Sequence, residues 1–147
     1  MKRTIILSML IVSVSILMRN EALAQNPALT VVNVQQIKLK WPENGTAAER
    51  DSLVTIYNQN VVNKNEHVLS HREYTHFFTG SNLDYLVIEE YKDMAGMEAS
   101  FLRTTELENK AWPDEKKRKE FLKAMNAYFE NWHGDALYHL NPKLSKN

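Results

Sequence analysis

Two rows of polar side chains alternate along one segment of the chain, and their residue types could bind or transform a small molecule. Arg72, Tyr74 and His76 occupy alternate positions, whereas His67 and His71 fall on the other parity. Because alternate positions of a strand share one face, one row lies under the helices and the other faces away. A guanidinium binds anions, and an imidazole titrates near neutral pH. The Arg72 row is favoured as the wall of a pocket, and a polar network satisfied by solvent is the alternative.

We expect aromatic side chains of the following apolar segment, 83–91, to form further walls of this pocket. The predicted ligand-binding residues are Arg72, Tyr74, His76, Tyr85 and Tyr91. If the pocket is catalytic, His71 or His76 would act as the base, and the neighbouring arginine and tyrosine would stabilise developing negative charge. Only one of the two rows can line the pocket, and the sequence leaves open which one does.

The five histidines do not have the spacing of a metal site. His67 and His71 would lie about 13 Å apart on a regular strand, and His71 and His76 would point to opposite faces. His133 and His139 have no ligand-type spacing either. We therefore predict no metal and no other cofactor, although convergence in three dimensions leaves haem or a metal ion open.

The first 24 residues have the pattern of a secretory signal peptide. Basic residues in Met1-Lys2-Arg3 precede an apolar run from Ile5 to Met18, and Ala22-Leu23-Ala24 forms a small-x-small cleavage site. The run is shorter than the roughly 20 residues that span a bilayer. We expect a periplasmic or secreted protein with no membrane segment, and amino-terminal sequencing of the exported form is expected to begin at Gln25.

The composition of the chain excludes several classes of function. Of 18 basic and 18 acidic residues, loss of the signal would leave 15 and 17, so no overall attraction to nucleic acid is expected. The basic run Lys116–Lys119 is flanked by acidic residues and is interpreted as a solvated helix face. The absence of cysteine excludes disulfides and thiol catalysis. We expect a single domain over 25–147, with its core at about 28–140.

The hydrophobic patterns predict strands and helices in the order β-α-β-β-α, followed by a short last strand. The expected elements are a strand at Ala28–Trp41, a helix from a capping box at Thr46–Glu49 to about Asn63, strands at His67–Thr79 and Leu83–Tyr91 joined by Gly80-Ser81-Asn82, helices at Met94–Asn109 and Pro113–Trp132, and a strand at Ala136–Leu140.

Two local features refine this prediction. The apolar positions of the first strand change parity, from Val32 and Val34 to Ile37 and Leu39, which predicts a bulge near Gln35-Gln36. The last helix carries an apolar stripe made of Phe121, Met125, Tyr128 and Trp132. Gly134 would end that helix as a C-cap, and Trp132-His133-Gly134-Asp135 could alternatively place an imidazole and a carboxylate at a pocket mouth.

The element order is that of a ferredoxin-like α+β fold, an antiparallel sheet with helices on one face and an extended second helical region. On the third strand Tyr85, Val87 and Tyr91 alternate with Leu86 and Ile88, so both faces of the sheet are apolar. Since the helices cover only one face, a second copy of the sheet is the simplest cover for the other. A homodimer is therefore predicted.

These features together resemble the dimeric α/β-barrel superfamily, and within it small exported proteins of Bacteroidetes-type bacteria that have no assigned activity. The resemblance covers most of residues 28–140. It is carried by the strand Val31–Trp41, the helix ending in Asn63-Lys64-Asn65, the strands around Ser70–Tyr74 and Tyr85–Tyr91, and the closing Trp132–Asp135. The superfamily includes haem-degrading and quinol-forming monooxygenases and chlorite dismutase-like enzymes, but none of their catalytic residues can be matched here.

Three functions follow as hypotheses. The leading one is an exported dimer that binds a small aromatic or anionic ligand in its barrel. The alternative that the resemblance implies is a cofactor-poor monooxygenase or isomerase acting on such a molecule. The third is a structural or partner-binding dimer with a filled interior, and an empty cavity would argue against it.

Overall fold

The fold is built on a four-stranded antiparallel sheet with the order β2-β3-β1-β4 and with helices on one face. The computed structural model describes residues 30–78 and 84–144. Its main elements are β1 (Val31–Leu39), α1 (Ala47–Asn60), β2 (Val68–Thr75), β3 (Asp84–Tyr91), α2 (Met94–Ala111), α3 (Glu115–Asn126) and β4 (Phe129–His139). The predicted α+β, ferredoxin-like fold with an extended second helical region is confirmed.

The amino terminus of α1 forms half of the predicted capping box. The amide of Glu49 donates to Thr46 Oγ1 at 3.1 Å, as expected for an N-cap. The Glu49 carboxylate does not complete the box, because it accepts a hydrogen bond from the Tyr128 hydroxyl at 2.6 Å. The helix start is thereby tied to the turn before β4 rather than to its own first amide.

Aromatic stacking joins the three helices. The ring of Trp112, which follows α2, stacks on Tyr57 of α1 at 6.4 Å and on Phe121 of α3 at 4.3 Å. Asp114 caps α3 by accepting from the amide of Lys117 at 3.0 Å. The predicted break at Trp112-Pro113 is confirmed, and it lets α3 turn away from α2 without losing contact with it.

The predicted end of the last helix is wrong. The helix α3 ends at Asn126, and β4 starts three residues later, so Trp132–Asp135 lie inside a strand and Gly134 is no C-cap. The physical reason is pairing: without β4, one edge of β1 would leave its backbone groups without partners. Residues of β1 pair with β4 from Val31↔His139 to Leu39↔Phe129. The last strand is therefore much longer than Ala136–Leu140.

The predicted bulge near Gln35-Gln36 is also wrong. The pairing of β1 with β3 is regular over this segment, and the irregularity against β4 lies between Ile37 and Leu39. Val31, Asn33 and Leu39 are all buried on the helix side. The strand keeps its alternation, and Asn33 and Gln35 are polar residues that point toward the helices.

Two of the sequence predictions concern residues outside the described part of the chain. The signal sequence at 1–24 and the turn Gly80-Ser81-Asn82 lie outside the described residues. The strands on either side of that turn do pair antiparallel, and the amide of His76 donates to the carbonyl of Asp84 at 3.1 Å. Within 30–78 and 84–144, no helix has the length and apolar character to cross a membrane.

Candidate functional site

The two polar rows of β2 face opposite sides of the sheet. His71 pairs with Glu89 and Glu73 with Val87 on the face covered by helices, whereas Arg72 pairs with Ile88 on the uncovered face. A charged side chain on the covered face is costly unless it is paired. The charged residues of the covered face therefore need partners, and His71 pairs with Glu73 and Glu89.

A cavity of about 390 Å³ separates this part of the sheet from the helices. Its apolar wall consists of Ile37, Val54, Val62, Val68, Val87, Phe101, Met125 and Phe129. Its polar wall includes Gln35, Tyr57, Asn58, Asn65, His71, Glu73, Tyr85, Glu89 and Tyr91. The cavity reaches the surface, because Phe101 is 56% exposed and nevertheless lines it. Such an amphipathic hollow is suited to a small organic molecule.

His71 lies at the centre of the polar wall and bridges two carboxylates. Its Nε2 lies 2.8 Å from Glu73 Oε1 and its Nδ1 lies 3.0 Å from Glu89 Oε1. Burial acts to lower the pKa of His71, but the hydrogen bonds and negative charges of the two glutamates outweigh it and raise the pKa to about 9. The ring is therefore protonated at neutral pH and donates from both nitrogens.

Glu73 accepts hydrogen bonds from three side chains. Besides His71, the amide group of Asn58 donates to its Oε1 at 2.7 Å, and the Tyr85 hydroxyl donates to its Oε2. Burial opposes ionisation, yet these donors and the charge of His71 lower the pKa of Glu73 to about 2. Asn58 belongs to α1, so this carboxylate also joins the helix layer to the sheet.

Glu89 forms the other arm of the cluster. Its Oε2 accepts from the Tyr91 hydroxyl at 2.6 Å, and the hydrogen bond from His71 helps to hold its pKa below the usual range against the effect of burial. Burial and the adjacent carboxylates raise the pKa of Tyr85 and of Tyr91. Both tyrosines are therefore neutral hydroxyl donors at physiological pH.

Asn65 fixes α2 against the segment before β2, at the side of the cavity that α2 forms. Its side-chain amide donates to the carbonyl and hydroxyl of Ser100 at 3.0 and 3.1 Å and to Thr104 Oγ1 at 3.1 Å. Its Oδ1 accepts from the amide of His67 at 3.2 Å. Asn65 is only 4% exposed, so one buried side chain connects the segment before β2 to α2.

The five predicted ligand-binding residues are not brought together on one wall. Tyr85 and Tyr91 line the cavity, whereas Arg72, Tyr74 and His76 belong to the uncovered side of the sheet. Arg72 is paired with Glu90 at 3.0 Å and is half exposed. Tyr74 and His76 line a second hollow of about 280 Å³, which Tyr85 also lines. Of the two candidate bases, only His71 lies in the main cavity.

Sequence reasoning missed the two glutamates and Asn58. Glu73 lies two residues from His71, and Glu89 lies between the apolar Val87 and Tyr91 on one strand face. Each spacing is visible in the sequence. A charged residue within an apolar alternating row signals a buried polar site. What the sequence does not display is the strand register that sets His71 opposite Glu89.

The strand β4 contributes one more titratable pair near the cavity. His133 lines the cavity, and its Nε2 lies 3.0 Å from Asp135 Oδ2, with both side chains about half exposed. The expectation of an imidazole beside a carboxylate at a pocket mouth therefore fits the positions of these residues. In the described part of the chain, no three His, Cys, Asp or Glu side chains converge in a way that could hold a metal ion.

The fold and the cavity together define a ferredoxin-like α+β protein with a hollow between its sheet and its helices. Among solved structures, the fold is similar to a point mutant of SnoaB, a cofactor-independent oxygenase from Streptomyces nogalater, with 13% identity over 81% of this chain and 100% of that one and a TM-score of 0.52. It is also similar to a proposed antibiotic biosynthesis monooxygenase from Caulobacter crescentus CB15, with 16% identity over 78% and 92% and a TM-score of 0.51.

A dimeric protein of unknown function with a ferredoxin-like fold from Bacteroides fragilis superposes with a TM-score of 0.46 and 9% identity, over 76% of this chain and 96% of that one. No protein-family model matches the sequence. No curated protein matches it. The similarities lie in the fold, and they agree with the ferredoxin-like fold that the sequence predicts.

Proposed function

We propose that the protein binds a small amphipathic molecule in the cavity between its sheet and its helices. The observation that carries this proposal is the pairing of an apolar wall with a buried polar cluster around one hollow of about 390 Å³. An apolar body would pack against Val54, Val87 and Phe129, while a polar end would reach His71 and its partners. The size of the hollow counts against the hypothesis of a filled interior.

Binding is better supported than base catalysis at this site. The oxygenase or isomerase alternative requires a base, and the fold shared with a cofactor-independent oxygenase is compatible with that chemistry. His71, however, is already protonated at neutral pH, and His76 lies outside the cavity. With its pKa lowered to about 2, Glu73 is a weak base. Neither His71 nor Glu73 therefore has a pKa suited to proton abstraction near pH 7.

The compartment in which the protein works is part of the proposal. The signal pattern at 1–24 supports export, and a cavity that binds small molecules outside the cytoplasm would meet ligands from the periplasm or the medium. Uncleaved protein in the cytoplasm, with residues 1–24 still attached, would contradict the proposed export.

A neutral aromatic probe tests whether the cavity binds. Indole, titrated into the mature protein, is expected to shift backbone amide resonances of residues that line the cavity. Val54→Phe should abolish these shifts, because Val54 lines the cavity without a polar partner and a larger ring would fill it. Ile56→Phe, on the same helix but outside the cavity and 39% exposed, is the matched control and should leave them unchanged.

If wild type shows no shifts, or if both variants behave alike, the hollow is not a binding site and the proposal is wrong.

A further inference from the structure

The lining of the cavity carries an excess of negative charge. It includes three glutamates, Glu73, Glu89 and Glu130, and among the described residues that line it there is no lysine or arginine. His71 is the one cation bound within the cluster, and it is shared by two carboxylates. The cluster of His71, Glu73 and Glu89 is therefore negative whether its imidazole is charged or neutral.

The hydrogen-bond donors closest to Glu73 and Glu89 are already in use. Both ring nitrogens of His71, the hydroxyls of Tyr85 and Tyr91 and the amide of Asn58 all point at Glu73 or Glu89. A carboxylate offers about four acceptor positions, and the protein fills three on Glu73 and two on Glu89. What these two glutamates offer to a ligand is acceptor capacity.

A buried acceptor without a hydrogen-bond donor lies on the same face of the sheet as Glu89. Asn33 lies on the covered face directly across from Glu89 and is 3% exposed. Its Oδ1 receives no hydrogen bond from any of the described residues. A buried acceptor without a donor is unfavourable, and this one lies beside Glu89, although Asn33 is not among the residues that line the cavity.

We propose that the ligand is an amphipathic amine, whose protonated nitrogen donates to Glu89 and Glu73 while its aromatic or aliphatic body packs on the apolar wall. This inference rests on the proposed function, since it names the class of molecule that the cavity takes. An ammonium supplies the positive charge that the polar wall lacks and donors for the two glutamates, and the tyrosine rings beside it favour a cation. A carboxylate would meet the negative charge of Glu73 and Glu89.

Three probes of nearly equal shape test the charge of the ligand on the unmodified protein. Phenethylamine, phenethyl alcohol and phenylacetate share an aromatic ring and differ in the polar end. Calorimetric titration at neutral pH is expected to show phenethylamine binding at least about tenfold more tightly than the alcohol, the effect of one hydrogen bond to a charged group. Phenylacetate should bind more weakly than the alcohol.

Two substitutions locate the effect. Glu89→Gln removes a charge and introduces a donor, so it should reduce the preference for the amine over the alcohol about tenfold. Glu98→Gln, on the exposed surface of α2, removes the same charge away from the cavity and should leave the preference intact. Circular dichroism checks that each variant is folded.

The outcomes separate the two proposals. Equal binding of the three probes to wild type, together with indole shifts that Val54→Phe abolishes, would leave the cavity as a binding site and overturn the amine. Tighter binding of phenylacetate would overturn it as well. Because this comparison uses wild type alone, it decides the question even if Glu89→Gln does not fold.

Discussion

The position of His71 decides the character of the site, because it places an imidazole between carboxylates from two strands. A buried carboxylate pair would repel, and one protonated ring between them converts the repulsion into two charge-assisted hydrogen bonds. Glu73 comes from the same strand and Glu89 from the neighbouring one. The histidine therefore contributes to the pairing of β2 with β3 as well as to the lining of the cavity.

The raised pKa of His71 predicts a loss of stability in alkali. Since folding raises this pKa from 6.5 to about 9, the folded protein holds a proton in that interval that the unfolded chain releases. The contribution is complete below pH 6.5 and disappears as the pH rises through about 9, for a total of roughly 3 kcal/mol. Urea unfolding across this interval should show the decline.

Two variants isolate this contribution. His71→Gln should lose most of the slope of unfolding free energy against pH between 6.5 and 9. His139→Gln, an exposed residue at the end of β4, should retain it. A wild-type protein equally stable at both ends of the interval would show that the ring is not protonated in the folded state.

The five residues predicted for the ligand site show what strand alternation can and cannot decide. Alternation correctly separated Arg72 and Tyr74 from His71. It gave no sign of which row the helices cover, because both carry titratable side chains. The deciding feature is on the partner strand, where the Glu89 side chain is only 17% exposed within an apolar row and needs a cation opposite it.

At the scale of elements, Asn65 is the side chain that connects the end of the first helical segment to α2. Replacing Asn65 with alanine removes its donors from Ser100 and Thr104 and leaves the amide of His67 without its acceptor. We expect Asn65→Ala to lower the free energy of unfolding by about 2 kcal/mol, measured by urea denaturation.

Asn63→Ala is the matched control, because Asn63 is an exposed asparagine two residues earlier. It should change the free energy of unfolding by less than about 0.5 kcal/mol. Equal effects of the two substitutions would show that the buried amide does not hold α2 in place.

The order of the elements could be predicted from the sequence because each has its own local pattern. The break at Trp112-Pro113 is an example, since proline acts on its immediate neighbour. The length of β4 could not be predicted, because the sequence positions Tyr128 and Trp132 continue the helical spacing beyond Asn126, where the helix ends. Only the need of β1 for a partner on its second edge selects the strand, and that need is not local.

The parity error in β1 has a related cause. If apolar positions mark the covered face, Val32 and Val34 belong with the core. In the fold they lie on the uncovered face, while Asn33 and Gln35 point toward the helices. The sequence rule failed where the covered face is polar, which is where the cavity lies.

At the scale of the whole molecule, the uncovered face of the sheet carries apolar side chains that no helix of the described residues covers. Val34 lies at its centre, between Ile88 and Ala136 on the neighbouring strands. Tyr74 and Tyr138 are 47% and 56% exposed on the same face. A small domain with an apolar sheet face gains stability by burying it against a second copy, and a two-fold axis makes the face self-complementary.

The charges on this face are consistent with such pairing. Arg72 is already neutralised by Glu90 at 3.0 Å, so burial of this face would not leave its guanidinium without a counter-ion. The main cavity lies on the opposite side of the sheet, under the helices. Association would therefore leave the mouth of the cavity accessible to its ligand.

We accordingly expect the mature protein to be a dimer through the uncovered face. Light scattering at micromolar concentration should give about twice the monomer mass for wild type. Val34→Lys should give the monomer mass, because a lysine at the centre of the face would be buried without a partner. Leu102→Lys, at a residue of α2 that is 74% exposed, should remain dimeric. A monomeric wild type, or a dimer that tolerates Val34→Lys, would contradict this arrangement.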